Sequence, residues 1–217
     1  MFTYSSTAIL FKCTFSGNIA AYDGGGMYNI LSTPTIIGST FNGNYAGEFG
    51  GGMCNFYYSS PTLMNTIFTG NVAKYGGGMA NILYSSPTLT NCAFIVNVAI
   101  YLGGGMCNLY DSNPTLIDCI FIGNIVIYPV SSMHNQAGGN PDLANCIFNG
   151  NFANDLSDGM SNLQNSTPRL TNSTCSGNSV QYGGGIFNYL SSNPTLTNSI
   201  FSDNFAFLYM LVAMAGA

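Results

Sequence analysis

Several residue groups in this chain are of types that do chemistry. Glycine triplets at 24–26, 50–52, 76–78, 103–105 and 183–185 have the look of phosphate loops, in which backbone N–H groups cradle an anion. Such a loop passes from a strand into a helix and usually carries a lysine. Here each triplet runs into Met or Ile, and two equivalent places read "PVSSM" and "LSDGM" instead. The triplets therefore read as sharp turns entering a strand. The acids are Asp23, Glu48, Asp111, Asp118, Asp142, Asp155, Asp158 and Asp203. Paired carboxylates would suit glycosidic or lyase chemistry. Asp155 and Asp158 are close in sequence but lie in a turn of varying length, and Arg169 is the sole arginine. They read as solvated turn acids.

Cys107 and His134 each follow a recurrent methionine by one residue, in successive repeats, so a thiolate–imidazole pair is conceivable. Cys54, Ala80 and Ser161 fill the same slot and no orienting acid is evident, so chance neighbours are the plainer reading. Cys92, Cys119 and Cys146 fall in one column, shared with Ser39, Thr66, Ser173 and Ser199. Stacked parallel strands keep Cβ atoms wider apart than a disulfide wants, so packed, reduced thiols are expected. With no CxxC and one histidine, neither a metal site nor a cofactor site is expected.

These positions are set by a repeat of 26–27 residues. An F-x-x-N element recurs at Phe15/Asn18, Phe41/Asn44, Phe68/Asn71, Phe94/Asn97, Phe121/Asn124, Phe148/Asn151 and Phe201/Asn204, with Cys175/Asn178 its one departure. Met27, Met53, Met79, Met106, Met133 and Met160 recur in step, and Ile186 continues them. Two residues beyond each stands Asn29, Asn55, Asn81, Asn108, Asn135, Asn162 or Asn188. A proline follows in every unit, from Pro34 to Pro194, with Ile36 or a leucine two places later. Short extended runs at this period, without helical patterning, suit one coil of a parallel β-solenoid. The expected fold is all-β: a right-handed single-stranded parallel β-helix of about eight coils, each with three strands and three turns, roughly 38 Å long at the inter-strand spacing. Met, Leu and Phe columns should stack inward, and so should two asparagine ladders. In M-x-N the middle residue should point out. Residues 1–204 read as the repeat domain and 205–217 as a degenerate apolar coil or cap.

Only 5% of residues are charged, and the basic ones are Lys12, Lys74 and Arg169. No basic patch can form, so nucleic acid and acidic membranes are poor partners. The 13 apolar residues from Phe205 are too few for an unaided transmembrane helix, which needs about 20.

The GGGM/GGGI signature paired with F-x-x-N resembles the repeats of polymorphic outer membrane proteins. The unit as a whole resembles secreted right-handed β-helix proteins of pectin-lyase-like fold. That resemblance implies an extracellular or cell-surface β-helix, often adhesive and often part of a longer polypeptide. No signal peptide is visible, and Met1 falls on the methionine column, so a fragment is expected. The reading is a non-enzymatic adhesive or structural segment. A host-cell or matrix protein, or a carbohydrate, would be met through a repetitive polar face, and bare ends would self-associate. The alternatives are a polysaccharide-active β-helix and an ice-binding face. The last rests on Thr35, Thr62, Thr88, Thr115 and Thr195 after the prolines, a row that Asp142 and Arg169 interrupt. Tyr22, Tyr75, Tyr101, Tyr128 and Tyr182 flank the glycine turns as covers or as a sugar- or protein-binding ridge. Asn165 and Asn172 open N-S-T sequons.

Overall fold

A computed structural model describes residues 1–128, 131–153, 159–180 and 184–206. These form four parallel eight-stranded sheets that wind around one axis, a right-handed solenoid with no helix among the described residues. Eight rungs separated by seven steps lie along it, close to the expected coil count. Each rung contributes a strand to the methionine sheet (Met53–Phe56, for example), the leucine sheet (Thr62–Met64), the phenylalanine sheet (Ile67–Thr69) and a fourth, alanine sheet (Val72–Tyr75). The fourth strand corrects the expectation of three. Most of its copies are two residues long, as at Tyr45–Ala46 and Ile125–Val126, and so read as part of a turn. The pattern is nonetheless in the sequence: after each F-x-x-N asparagine, an outward apolar residue precedes a buried Ala46, Ala73, Ala99, Val126 or Ala153. Residues 207–217, most of the expected terminal cap, lie outside the described residues.

Register is strict. Met53, Met79 and Met106 are successive pairing partners, as are Leu63, Leu89 and Leu116. The methionines from Met27 to Met160, and Phe41, Phe68, Phe94, Phe121 and Phe148, are fully buried in one cluster. From Phe15 to Phe148 successive rings stand 4.6–4.8 Å apart with planes within 9° of parallel. That falls where aromatic pairs attract, about 0.5–1.5 kcal/mol each beyond area burial.

Two asparagine ladders run the length of the rod. In the methionine sheet each amide Nδ2 donates to the next rung's Oδ1 at 2.8–2.9 Å, unbroken from Asn29 to Asn188. The F-x-x-N ladder does more. Asn97 Oδ1 accepts both the backbone N–H and the amide of Asn71, while its own Nδ2 donates to Phe68 O and Asn124 Oδ1. Buried amides are costly unless bonded, and here each is bonded on both sides. A third ladder was not expected. Ser32, Ser59, Ser85 and Ser112 accept from the backbone N–H of the preceding rung's equivalent residue at 3.1 Å. Their signal was a serine two places before proline.

The glycine triplet has three separate physical reasons, seen at 76–78. Gly76 is left-handed, at φ 66°. A Cβ on Gly77 would lie 2.4 Å from Val98 O, and one on Gly78 would lie 2.8 Å from the Phe94 ring. A Cβ on Gly76 would also meet the Cβ of Ala80 at 2.9 Å, because the turn folds back over the outer face of the methionine sheet. The middle residue of M-x-N, expected outside, is therefore buried at Cys54, Ala80, Cys107, His134 and Ser161. Phe49, Phe56 and Leu83 complete a second small core there with Cys54, Ala80 and Ile82.

The two ladders should differ on truncation. Asn81→Ala unpairs two buried amide groups, for a loss of about 2–3 kcal/mol. Asn97→Ala also strands a buried backbone N–H, for about 3–5 kcal/mol. Guanidinium midpoints of the two variants, compared with the parent, check that order.

Candidate functional site

The carboxylates are scattered around the rod. Asp118 is left-handed in the turn after the leucine sheet and accepts from Asn145 Nδ2 at 2.9 Å. Asp142 is exposed and pairs in register with Thr115 and Arg169. Glu48 holds Lys74 at 2.6 Å on the surface. Asp23 accepts from the Phe49 backbone N–H at 3.2 Å, and partial burial raises its pKa. Asp155 and Asp158 lie outside the described residues. Among the described residues no three His, Cys, Asp or Glu side chains group as a metal site would.

Cys107 and His134 are register partners, as the spacing required. The imidazole, however, is engaged elsewhere. His134 Nδ1 lies 2.8 Å from Ser161 Oγ and Nε2 lies 3.1 Å from Gln136 Oε1. Ser131 donates to Ser161 Oγ at 2.7 Å. The order hydroxyl, imidazole, orienting oxygen has the form of an activated nucleophile. Yet Ser161 and His134 are both fully buried. Burial lowers the His134 pKa to about 4, so the ring is neutral near pH 7. Beside it Ser132 occupies the position of the third glycine, and its buried Oγ has no hydrogen-bond partner among the described residues.

The cysteines are free, and six of the seven are buried. In the small-residue column Cys119 Sγ donates to Ile117 O at 3.3 Å and Cys146 Sγ to Ala144 O at 3.4 Å. Contact with Cys119, together with burial, pushes the Cys92 and Cys146 thiols up. Burial raises Cys107, and Cys175 to about 12. Cys92, Cys107, Cys146 and Cys175, held this way, are packing groups and weak donors, since the thiolate is the reactive form.

What faces solvent is organised in columns. Thr62, Thr88 and Thr195 are exposed on the leucine sheet; Thr35 and Thr115 are half-buried. The outer face is not uniformly polar. Ile67 and Ile147 on the phenylalanine sheet, and Ile125 and Phe152 on the alanine sheet, are exposed. At the glycine turns Phe49, Tyr75, Tyr101 and Tyr128 form a run with centroids 4.8, 5.5 and 5.8 Å apart. Phe49 packs on the outer core, so this run begins as the cover of the methionine sheet. Tyr22 is exposed and Tyr182 lies outside the described residues. Both sequon asparagines, Asn165 and Asn172, are exposed.

A second aromatic line lies at the opposite edge of the methionine sheet, and sequence reasoning missed it. Every rung turns through left-handed backbone at three corners. After the leucine sheet the residue is most often asparagine (Asn65, Asn91, Asn145, Asn172 and Asn198, at φ 48–55°), and it is Lys12, Gly38 or Asp118 in the other rungs. After the phenylalanine sheet it is most often glycine, as at Gly43 and Gly70. After the methionine sheet one or two residues in each rung are left-handed, among them Leu31, Tyr57, Tyr58, Leu83, Tyr84, Tyr110, Asp111, Ala137 and Gln164, at φ 50–61°. Large side chains cost about 1–2 kcal/mol each in that conformation, which glycine avoids and asparagine partly offsets. The four tyrosines are 45–53% exposed. Their only signal was the "YY", "LY" and "YD" that follow M-x-N-x, visible once the corner is known to be left-handed.

A sequence family described as "Right handed beta helix region" matches residues 1–141. No curated protein matches the chain.

His134 makes stability depend on pH. Its folded pKa, about 4, lies below the ordinary 6.5, so the unfolded chain binds the proton more readily. Stability from this group is complete above pH 6.5 and falls as pH drops towards 4, by on the order of 3 kcal/mol. Denaturation midpoints across that range should show the slope in the parent and lose it in His134→Gln. Ser132→Ala removes the unpaired hydroxyl and should raise stability by about 1 kcal/mol, read as a higher melting temperature.

Proposed function

The chain belongs to the right-handed beta helix family, and from that premise we propose that it is a non-enzymatic structural and adhesive segment of a bacterial surface or secreted protein. The observation that carries this reading is the constancy of the rung. Aligned residues recur at 26 or 27 positions throughout, and each inward column is committed to packing or to a ladder. A polysaccharide-cleaving β-helix would insert longer loops that bring acids together. The acids described here are instead dispersed over separate corners and faces, at Asp118, Asp142, Glu48 and Asp23. Such a rod offers repeated outward columns, so a partner meets the same chemistry at successive rungs and gains through multivalency. The likeness of its GGGM and F-x-x-N elements to polymorphic outer membrane protein repeats supports a cell-surface setting. Host-cell or matrix proteins and carbohydrates are the partner classes.

The protein coated on a surface should retain host cells or matrix protein, while incubation with polygalacturonate and neutral polysaccharides yields neither new reducing ends nor unsaturated products. Product accumulating in proportion to protein would overturn the reading in favour of an enzyme.

A further inference from the structure

We propose that the outward face of the phenylalanine and alanine sheets, from the third rung to the sixth, is the surface on which two copies of this chain pack side by side. The columns of that face change character along the rod. One outward column of the phenylalanine sheet runs Thr40, Ile67, Ala93, Ile120, Ile147, Thr174. The other passes from Asn42 and Thr69 to Ile95 and Ile122, then to Asn149 and Ser176. On the alanine sheet Val72, Val98, Ile125 and Phe152 follow one another and give way to Ser179. At the corner between the two sheets stands Val96, where most rungs have glycine. Val96, Ile122, Ile125 and Ile147 are each 38–48% exposed. Ile200 is exposed as well, but it lies beyond the polar seventh rung.

Strand preference does not account for this change. Ile and Val suit a strand, but so does Thr. Thr40 and Thr174 hold the same column in the same pairing as the isoleucines between them. Exposed apolar patches rimmed by polar residues mark places where something docks.

Charge and period select a second copy as the occupant. Among the described residues, no charged side chain stands in these three columns from the second rung to the seventh. Lys74, two places along the strand from Val72, is already held by Glu48 at 2.6 Å. Two chains of formal charge −5 can therefore meet here without setting like charges against each other. An anionic membrane suits this face poorly, because the chain is acidic and has three basic residues in all. A repeat at the inter-strand spacing stays in step over four rungs only with a surface of the same period, which a second copy has. Across a two-fold axis the patch is its own complement.

Four rungs along the axis and two short strands around it span on the order of 20 by 25 Å, roughly 500 Å² per copy, at sheet spacings. Two such faces bury about 1,000 Å², the lower end of specific interfaces, so the dimer is weak and depends on concentration. This inference goes beyond the adhesive reading and does not rest on it.

Sedimentation of the parent from about 1 to 500 μM should show monomer passing to dimer. An Ile122→Asn/Ile125→Ser/Ile147→Thr variant carries residues already present in the same columns, at Asn149, Ser179 and Thr174. It should keep the parent's circular dichroism and dimerise at least about tenfold more weakly. A second readout does not depend on that variant's folding. p-Benzoylphenylalanine placed at Ile122 should cross-link two copies on illumination, and placed at Thr88, on the leucine sheet, it should not. A parent that stays monomeric overturns the proposal. So does equal association in a folded variant, or growth past the dimer, either of which would place the contact at the rod ends. Dimers that form only in a chain shortened to end at Ala206 would make residues 207–217 the occupant instead. Capture of the monomer by phosphatidylcholine vesicles, without a dimer, would make it a lipid surface.

Discussion

The whole structure depends on each rung lying in register on the one before, and the buried asparagine amides hold that register most strictly. Apolar columns alone tolerate slippage, because a methionine packs on many neighbours. An amide whose oxygen and nitrogen are both buried tolerates almost none. A one-residue slip would take Asn97 out of line with Asn71 and Asn124 and strand four hydrogen bonds at once. The ladders thus set the register, and the phenylalanine and methionine stacks supply the burial that makes it worth holding.

Much of the fold was legible because a solenoid writes its geometry in periodicity. Met53, Met79 and Met106 had to be neighbours once the repeat was seen, and Asn55, Asn81 and Asn108 had to be bonded once they were neighbours. Two things were not legible. The alanine sheet has strands mostly two residues long, so its outward-apolar, inward-alanine pair reads as part of a turn although the pair recurs in the sequence. The burial of Cys54, Ala80 and Cys107 depends on the glycine turn folding back over the sheet, a consequence of the left-handed Gly50, Gly76 and Gly103 that spacing does not reveal. The same blind spot hid the tyrosine corner. Left-handed backbone is read from Gly and Asn, and Tyr57 and Tyr84 carry it without either signal. Of the residues weighed for chemistry, Cys107 and His134 are neighbours in register, as their spacing implied, but the imidazole's engagement with Ser161 and Gln136 is a matter of side-chain geometry.

The division between inside and outside shapes how such a rod can vary. Inward columns are coupled along the axis, so a change at Phe94 is felt by Phe68 and Phe121. Outward positions answer mainly to solvent and to whatever is met there. Thr115, Asp142 and Arg169 follow one another in one column of the leucine sheet without altering its pairing. A scaffold of this kind keeps its shape while its surface chemistry changes rung by rung, which suits recognition spread over many weak contacts.

The central claim, strict register over the length of the rod, is tested most directly by a pulsed electron resonance distance. Nitroxide labels at Thr62 and Thr195, attached by chemistry that spares the native cysteines, sit in one column five rungs apart. Stacked rungs predict a single narrow distribution centred at about 24 Å, five inter-strand spacings. A broad distribution, or one centred well away from that value, would contradict the account.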